Sequence, residues 1–310
     1  MTLHAFANLL QIPVLVLSPS FKPLPLIPAS KFAISLDSGP KFRPTHVRLE
    51  GDDPIALSIL LDVSDSDTDL MRGIDDVIAD LSPTFLRRSD HVSIYALDCT
   101  LTRSLYDAPA DSTQLKDGVE VALRSWNSRR HQKQARCHKA VHLWDALAFM
   151  TENMLSLTGR RVILTVTDGQ DKGSLNTWNE LRVFAAASGI AIFGMTRHES
   201  LPNPEAVFQL VCGRTGGLVL TTNKGKVSQE LERFTTLLRE RYILEFPRTD
   251  SAVSGPHSFD VTISNSNALI RSTGISVPIA DPRILADPTT IPSDPAHAPQ
   301  MGKRHILTPE

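Results

Sequence analysis

Apolar residues occur along the chain in two alternating patterns, short continuous runs and runs with helical spacing, between residues 54 and 241. The clearest continuous run is IALSILLD at 55–62, in which six of the eight residues are apolar and the only charge is Asp62. A run of this kind indicates a strand buried on both faces, as in a parallel sheet covered by helices. Ser64 and Ser66 follow it, so one carboxylate and two hydroxyls are predicted at the carboxyl end of a buried strand.

Strand and helix patterns then alternate downstream. Helical spacing of Leu70, Ile74, Val77, Ile78 and Leu81 predicts an amphipathic helix. Further strands are predicted at 91–97, 161–166, 190–195 and 218–222, further helices from Asp111 or Ser112 to Trp126 and over 143–157, 178–185, 204–212 and 227–238, and a polar, basic loop at 127–139. The alternation predicts an α/β fold with a doubly wound, mostly parallel sheet and helices on both faces.

The two ends of the chain have a different pattern. Residues 1–53 carry short apolar runs separated by prolines, and residues 242–278 carry β-like runs. Neither end is long enough to form a core alone, so we predict that residues 1–50 and 242–278 pack together as a small sandwich. The predicted division is therefore a β-rich segment 1–53, an α/β domain 54–241, a β-rich segment 242–278, and a proline-rich disordered tail 279–310.

Composition excludes several classes of function. The formal net charge is -2 over 310 residues and no long Lys/Arg-rich run is present, which argues against nucleic-acid binding. No apolar run reaches the roughly 20 residues that span a bilayer. Phe6 to Leu17 is the one candidate export signal, but it has no preceding Lys or Arg and contains Pro13, so we predict a strand at Gln11–Leu17 instead.

The three cysteines, Cys99, Cys137 and Cys212, are widely spaced. Their spacing predicts neither a disulfide framework nor a zinc finger, and we expect buried free thiols.

Candidate chemistry concentrates where two buried strands end. Asp62, Ser64 and Ser66 follow one strand, and Asp168 ends the strand at 161–166 in the same way. The carboxyl ends of neighbouring parallel strands lie at one edge of a sheet, where ligands bind in open α/β folds. Carboxylate and hydroxyl oxygens are the ligands that Mg²⁺ or Mn²⁺ prefers, so the four residues predict a divalent-cation site.

Three segments carry a family resemblance: DVSDS at 62–66, HLWDAL at 142–147 and LTVTDGQDKGS at 164–174. In this order they resemble the von Willebrand factor type A (VWA) domain with its metal-ion-dependent adhesion site (MIDAS), whose first motif is Asp-x-Ser-x-Ser. The flanks at 13–39 and 241–248 are similar to those of the bacterial, Acidobacteria-type VWFA-related proteins. The resemblance covers about residues 9–278.

The resemblance implies a non-enzymatic adhesion or assembly module. Asp62, Ser64 and Ser66 would form the first metal loop and Asp168 the distal acidic position, with a protein partner's Asp or Glu completing the coordination of Mg²⁺ or Mn²⁺. Val141 stands where the family has a metal-binding Thr, which makes the site degenerate, and Asp65 replaces a residue that is usually small. The resemblance also implies export to the periplasm or cell surface, although the chain shows no signal peptide.

Other interpretations of the same residues stay open. Ser64 or Ser66 could cap the following helix, in a structural or assembly protein whose interface needs no metal. Cys137, His138 and His142 could be proposed as a zinc set, and the acids at 65–69 as a calcium loop, but neither has complete ligand spacing. A metal-assisted hydrolase using Asp62 and Asp168 would need a general base that the sequence does not reveal.

Overall fold

The computed structural model describes residues 9–64, 68–71, 74–82, 84–131, 142–197, 202–223, 225–247 and 255–277. The strands, in chain order, are β1 (Leu9–Leu17), β2 (Phe32–Leu36), β3 (His46–Leu49), β4 (Ile55–Asp62), β5 (His91–Leu97), β6 (Leu101–Pro109), β7 (Arg160–Val166), β8 (Ala191–Arg197), β9 (Val219–Thr222), β10 (Tyr242–Pro247), β11 (Gly255–His257), β12 (Phe259–Ile263), β13 (Leu269–Ser272) and β14 (Ile275–Val277). The helices are α1 (Thr68–Met71), α2 (Ile74–Ala79), α3 (Ser112–Ala122), α4 (Arg124–His131), α5 (Leu143–Asn153), α6 (Trp178–Ala187), α7 (Pro202–Arg214) and α8 (Val227–Arg239).

The largest sheet has six strands in the order β6-β5-β4-β7-β8-β9. Strand β4 is parallel to β5 and β7, the β7–β8 and β8–β9 pairs are also parallel, and only the edge strand β6 is antiparallel. All eight residues of β4 are buried, as its continuous apolar sequence predicts for a central parallel strand. The predicted α/β fold with a mostly parallel sheet is confirmed.

Alternate residues of β4 face two separate apolar clusters. Leu57 and Ile59 pack in a cluster with residues of α2, α3 and α8, whereas Ala56 and Leu60 pack with residues of α5, α6 and α7. Successive side chains of a strand point to opposite faces, so a central strand needs apolar residues at nearly every position when both faces carry helices. Both faces of the sheet are covered in this way, as the doubly wound pattern requires.

Strands from the two ends of the chain pair with each other. Strand β1 lies antiparallel between β10 and β13, β3 pairs with the other edge of β10, and β2 pairs with β12. Val14 and Val16 of β1 pack with the apolar residues of these strands, whereas Leu15 and Leu17 join the core of the large sheet. The division of the chain into domains stays a prediction.

Two local differences separate the structure from the sequence-based expectation. The described parts of the helix predicted over 70–81 are α1 and α2, on either side of residues 72–73, which lie outside the described ranges. Helix α4 makes residues 127–131 of the predicted loop helical, and residues 132–139 lie outside the described ranges. Strand β6 was not predicted because its sequence, LTRSLYDAP, has no regular alternation. It pairs along β5 with register shifts and a left-handed residue, Asp107, at a φ of 46°, so tertiary contact decides its conformation.

The cysteine prediction is partly wrong. Cys99 is disulfide-bonded, whereas Cys212 is a buried free thiol as expected, and Cys137 lies outside the described residues. Wide sequence spacing cannot exclude a disulfide, because the fold brings distant residues together. In the described ranges, no helix is both long enough and apolar enough to cross a membrane.

Candidate functional site

The predicted site residues lie at the carboxyl edge of the large sheet. Asp62 is the last residue of β4 and is only 8% exposed, and Asp168 comes two residues after the end of β7. Strands β4 and β7 are parallel neighbours with Leu61 opposite Val166, so both chains leave the sheet side by side. Ser64 is buried beside Asp62, whereas Ser66 and Val141 lie outside the described residues.

The Asp62 carboxylate accepts hydrogen bonds at both of its oxygens. The Ser64 hydroxyl and backbone N–H donate to Oδ1 over 2.5 and 3.2 Å, and the Thr167 hydroxyl donates to Oδ2 over 2.7 Å. Thr167 is held in turn by the backbone N–H of Gly169, which donates to its Oγ1 over 3.0 Å. Sequence analysis included Thr167 only within the segment LTVTDGQDKGS at 164–174. Its position directly before Asp168 was the one signal that could have marked its hydroxyl as part of the site.

Electrostatics at this edge favour a positive ligand or a proton. Burial raises the pKa of Asp62 to about 6, the nearby Asp168 carboxylate acts in the same direction, and the bonds from Ser64 and Thr167 oppose the rise. The Asp168 carboxylate itself accepts a 2.8 Å hydrogen bond from the backbone N–H of Gln170. A carboxylate whose charge is disfavoured by burial and by a neighbouring carboxylate is stabilised when a cation lies beside it.

The described residues fit a hard divalent cation. The edge offers oxygens from the buried residues Asp62, Ser64 and Thr167 and from the partly exposed Asp168 carboxylate. Carboxylate and hydroxyl oxygens are the ligand types that Mg²⁺ and Mn²⁺ select. Among the residues that the structure describes, no group of three or more His, Cys, Asp or Glu side chains could hold a metal. A site at this edge therefore depends on hydroxyl ligands as well as carboxylates.

Two alternative interpretations of the sequence, helix capping by a serine and a zinc set, fall partly outside the described residues. The Ser64 hydroxyl donates to Asp62, and the residues between Ser64 and α1, including Ser66, lie outside the described ranges, so the capping alternative stays a prediction. Two members of the suggested zinc set, Cys137 and His138, lie outside the described ranges. Nδ1 of His142 is buried without a hydrogen-bond partner, and it lies 3.6 Å from Oδ2 of Asp145.

Helix α5 begins beside this edge and is capped by a different part of the chain. Its own N-cap residue, His142, makes no side-chain capping bond. Instead, the backbone N–H of Trp144 donates to Asp171 Oδ1 and that of Asp145 donates to Ser174 Oγ, each over 3.2 Å. The first N–H groups of a helix have no partner within the helix, and here the loop after Asp168 supplies it.

Asp145, in the first turn of α5, accepts hydrogen bonds from the same loop that caps the helix. Its carboxylate, in a residue only 2% exposed, accepts from the backbone N–H groups of Leu175 and Asn176, each over 2.9 Å, and from the Asn176 side chain over 2.6 Å. The start of α5 and the loop from Asp168 to Asn176 therefore form one hydrogen-bonded unit. Sequence analysis placed Asp145 only within the HLWDAL motif.

The fold and this edge together define the class of protein. A mostly parallel sheet has Asp62 at the end of its central strand and Thr167, Asp168 and Gly169 directly after the neighbouring strand, so the chain has a VWA-like α/β fold. The narrower resemblance to the Acidobacteria-type proteins stays a prediction. No protein-family model matches the chain, and no curated protein matches it.

Several solved structures are similar in fold. They include proximal thread matrix protein 1 (PTMP1) from the mussel byssus, with 12% identity, a TM-score of 0.47 and coverage of 66% of this chain and 50% of that chain. The manganese-loaded TRAP protein of Plasmodium vivax matches with 13% identity, a TM-score of 0.45 and coverage of 75% and 98%. BatB from Bacteroides thetaiotaomicron matches with 16% identity, a TM-score of 0.43 and coverage of 59% and 99%.

One further PTMP1 structure has a zinc-occupied MIDAS motif. The present chain spans about half the length of PTMP1. Similarity at this level is too low to carry an argument about function, which has to come from the residues of the site.

Proposed function

We propose that this protein is a non-enzymatic binding module whose VWA-like domain holds Mg²⁺ or Mn²⁺ with Asp62, Ser64, Ser66 and Asp168. The observation that supports the proposal most directly is the buried Asp62 carboxylate, whose pKa is raised by burial and by the Asp168 charge. When bound, the cation would supply positive charge to this edge and an open coordination position for a carboxylate. The partner is therefore a protein that presents Asp or Glu.

The residues of the edge have separable roles in this proposal. Asp62 and Asp168 supply the negative charge, and Ser64 supplies a hydroxyl oxygen. Thr167 orients the Asp62 carboxylate through its 2.7 Å bond and is a candidate for a further hydroxyl ligand. Because Val141 has no hydroxyl, the protein would bind the cation with fewer ligands than the family's usual site.

Apolar side chains beside the edge suit a protein partner. Leu175, which lies in the loop that Asp145 anchors, is 58% exposed, and Trp178, which follows the loop, is 36% exposed. Exposed large apolar residues next to a charged site are typical of interfaces, in which apolar contacts add area and the charged contact adds specificity. The family resemblance favours a location outside the cytoplasm.

A metal-independent interaction protein is the second candidate. Both oxygens of Asp62 accept hydrogen bonds from Ser64 and Thr167, so protein groups alone stabilise the carboxylate. In this alternative the edge is a fixed structural element and the partner contacts other atoms of the same surface. The two candidates differ in whether divalent metal changes stability or binding.

Thermal unfolding in EDTA, Mg²⁺ and Mn²⁺ tests the proposal. A ligand that binds only the native state stabilises it by about 2.7 kcal/mol at one hundred times its dissociation constant. We expect a concentration-dependent rise in the midpoint that Asp62→Asn and Asp168→Asn abolish. Asp117→Asn is the matched control, because Asp117 is an exposed residue of α3 away from this edge. No rise at millimolar metal would contradict the proposal and favour the metal-independent candidate.

Carboxylate binding can be tested with acetate as the probe. Water-proton relaxation reports the water molecules on protein-bound Mn²⁺, and a carboxylate that enters the coordination shell lowers the enhancement. We expect acetate to lower the enhancement and sodium chloride at equal ionic strength to leave it unchanged. Equal effects of the two salts would contradict the role of a partner carboxylate.

A further inference from the structure

Arg271 lies on the edge strand β13, opposite Leu15 of β1, and β13 packs against α7. Its Nε is buried and has no hydrogen-bond partner among the described residues. No salt bridge to Arg271 is found in the part of the chain that the structure describes. A guanidinium carries five N–H donors and a permanent charge, and buried charges in proteins are normally paired.

Other partly or fully buried arginines of this protein have partners. Arg241 donates to both carboxylate oxygens of Glu50 over 2.7 and 2.8 Å, and Arg239 donates to Asp90. Arg161, which is also desolvated, donates to the backbone oxygen of Leu155 over 3.3 Å. Arg271 therefore differs from these arginines, because its Nε has no acceptor among the described residues.

The guanidinium of Arg271 lies directly on the backbone of α7 at Gly213. A Cβ at position 213 would be 1.8 Å from Nη1, so only glycine leaves room for the side chain. Burial lowers the pKa of Arg271, and the positive charge of Arg214 lowers it further. A negative charge on Cys212, in its thiolate form, would raise it. Arg214 is the last residue of α7 and its side chain is exposed. The charges of Arg271 and Arg214 are close enough to influence each other.

The end of α7 does not supply the missing partner. The backbone oxygens of Val211 and Cys212 already accept bonds from Thr215 and Gly217. An arginine that only covered the helix with its aliphatic stem would keep its nitrogens in water. The Nε of Arg271 is instead buried with no acceptor among the described residues, whereas the residue as a whole is only partly buried. Its two Nη atoms are not among the buried unpartnered atoms, so they are open to an acceptor from outside the described residues.

We propose that Arg271 and Arg214 form a binding site for an oxyanion, a carboxylate or phosphate group, on the Gly213 surface of α7. The planar guanidinium of Arg271 would bind two oxygens of the anion, which is the geometry in which arginine recognises these groups. Arg214, exposed at the end of α7, supplies the second positive charge. The site is independent of the Asp62 edge and needs no divalent cation.

Isothermal titration of the full chain, freed of divalent metal by EDTA and then of EDTA by dialysis, with inorganic phosphate and with acetate as separate probes, tests this proposal. Sodium chloride keeps the ionic strength constant, because surface attraction to anions is screened by salt. We expect saturable binding of at least one probe, and a loss of about ten-fold or more in affinity in Arg271→Gln. Arg88→Gln, at an exposed position, is the control that should bind as the unchanged protein does.

Gly213→Ala provides a second variant that keeps both charges. Alanine is favoured over glycine within a helix, so this change is compatible with α7, but its Cβ displaces the Arg271 guanidinium. We expect it to weaken binding as Arg271→Gln does, even if Arg271→Gln reduces stability. Binding of phosphate alone identifies a phosphate site, and binding of acetate alone a carboxylate site. No saturable binding of either probe, or equal binding by Gly213→Ala and the unchanged protein, overturns the proposal.

Discussion

The hydroxyl of Thr167 donates a 2.7 Å hydrogen bond to Oδ2 of Asp62, although the two residues are 105 positions apart in the chain. They meet because β4 and β7 are parallel neighbours that end together. The bond stabilises the ionised form of a carboxylate that burial destabilises. It connects the two strand ends that the proposed cation would join.

Removal of this hydroxyl should destabilise the protein. In Thr167→Val the shape is kept but the ionised Asp62 loses one donor, so we expect a loss of about 1.5–3 kcal/mol in the free energy of unfolding at pH 8, measured by urea denaturation in EDTA. Thr167→Ser keeps the donor and should lose less. Equal stability of the Val variant and the unchanged protein at pH 8 would show that the bond contributes nothing.

Asp62 should also give the metal-free protein a distinctive pH dependence. Burial raises its folded-state pKa from 3.8 to about 6, so the folded state binds this proton more tightly than the unfolded chain. The associated stability is complete below about pH 4 and is lost as pH rises through about 6, by about 3 kcal/mol in total. The groups that act on Asp62 are Ser64, Thr167 and Asp168.

The test compares Asp62→Asn with the unchanged protein across this range, because other acids contribute their own pH dependence. Relative to the unchanged protein in EDTA, the Asn variant should gain stability between pH 4 and pH 7. Asp117→Asn, at an exposed site, should track the unchanged protein. A difference that does not vary with pH would mean that Asp62 is not perturbed.

Asp145 should hold the loop that carries Asp168. In Asp145→Asn an amide N–H group replaces one of two oxygens that together accept three N–H bonds, so we expect a loss of about 3 kcal/mol in unfolding free energy. Hydrogen exchange of the Leu175 and Asn176 amides should accelerate. Glu152→Gln, at an exposed position of the same helix, should change neither quantity, and unchanged exchange in Asp145→Asn would contradict the anchoring role.

The buried pair of Glu50 and Arg241 should be strongly coupled. Both side chains are almost completely buried, between the end of β3 and the start of β10, and their contact is 2.7 Å. Arg241→Met leaves an unpaired buried carboxylate and should cost about 3–5 kcal/mol, whereas the double variant with Glu50→Met should recover much of the loss. A double-mutant cycle in urea measures the coupling, and additive effects of the two changes would contradict it.

The order of strands and helices was predictable where the local pattern was strong. Strand β4 has the predicted bounds, and Asp111 caps α3 as predicted, by accepting from two backbone N–H groups. Strand β6 and most of helix α4 were missed, because the apolar residues of neither segment recur with a regular spacing. Of the predicted site residues, Asp62, Ser64 and Asp168 lie at one edge, as expected for the ends of neighbouring parallel strands, and Ser66 lies outside the described residues.

The sequence by itself determined the regularly patterned strands and helices, such as β4, and which polar residues follow a buried strand, because both depend on patterns within a few residues. Tertiary structure decided the bond from Thr167 to Asp62, the cap that the loop of Asp171 and Ser174 provides to α5, and the seating of Arg271 on Gly213. Each of these joins residues that are distant in the chain. Whether a buried polar group finds a partner depends on which strands become neighbours, and that is settled only when the whole sheet packs.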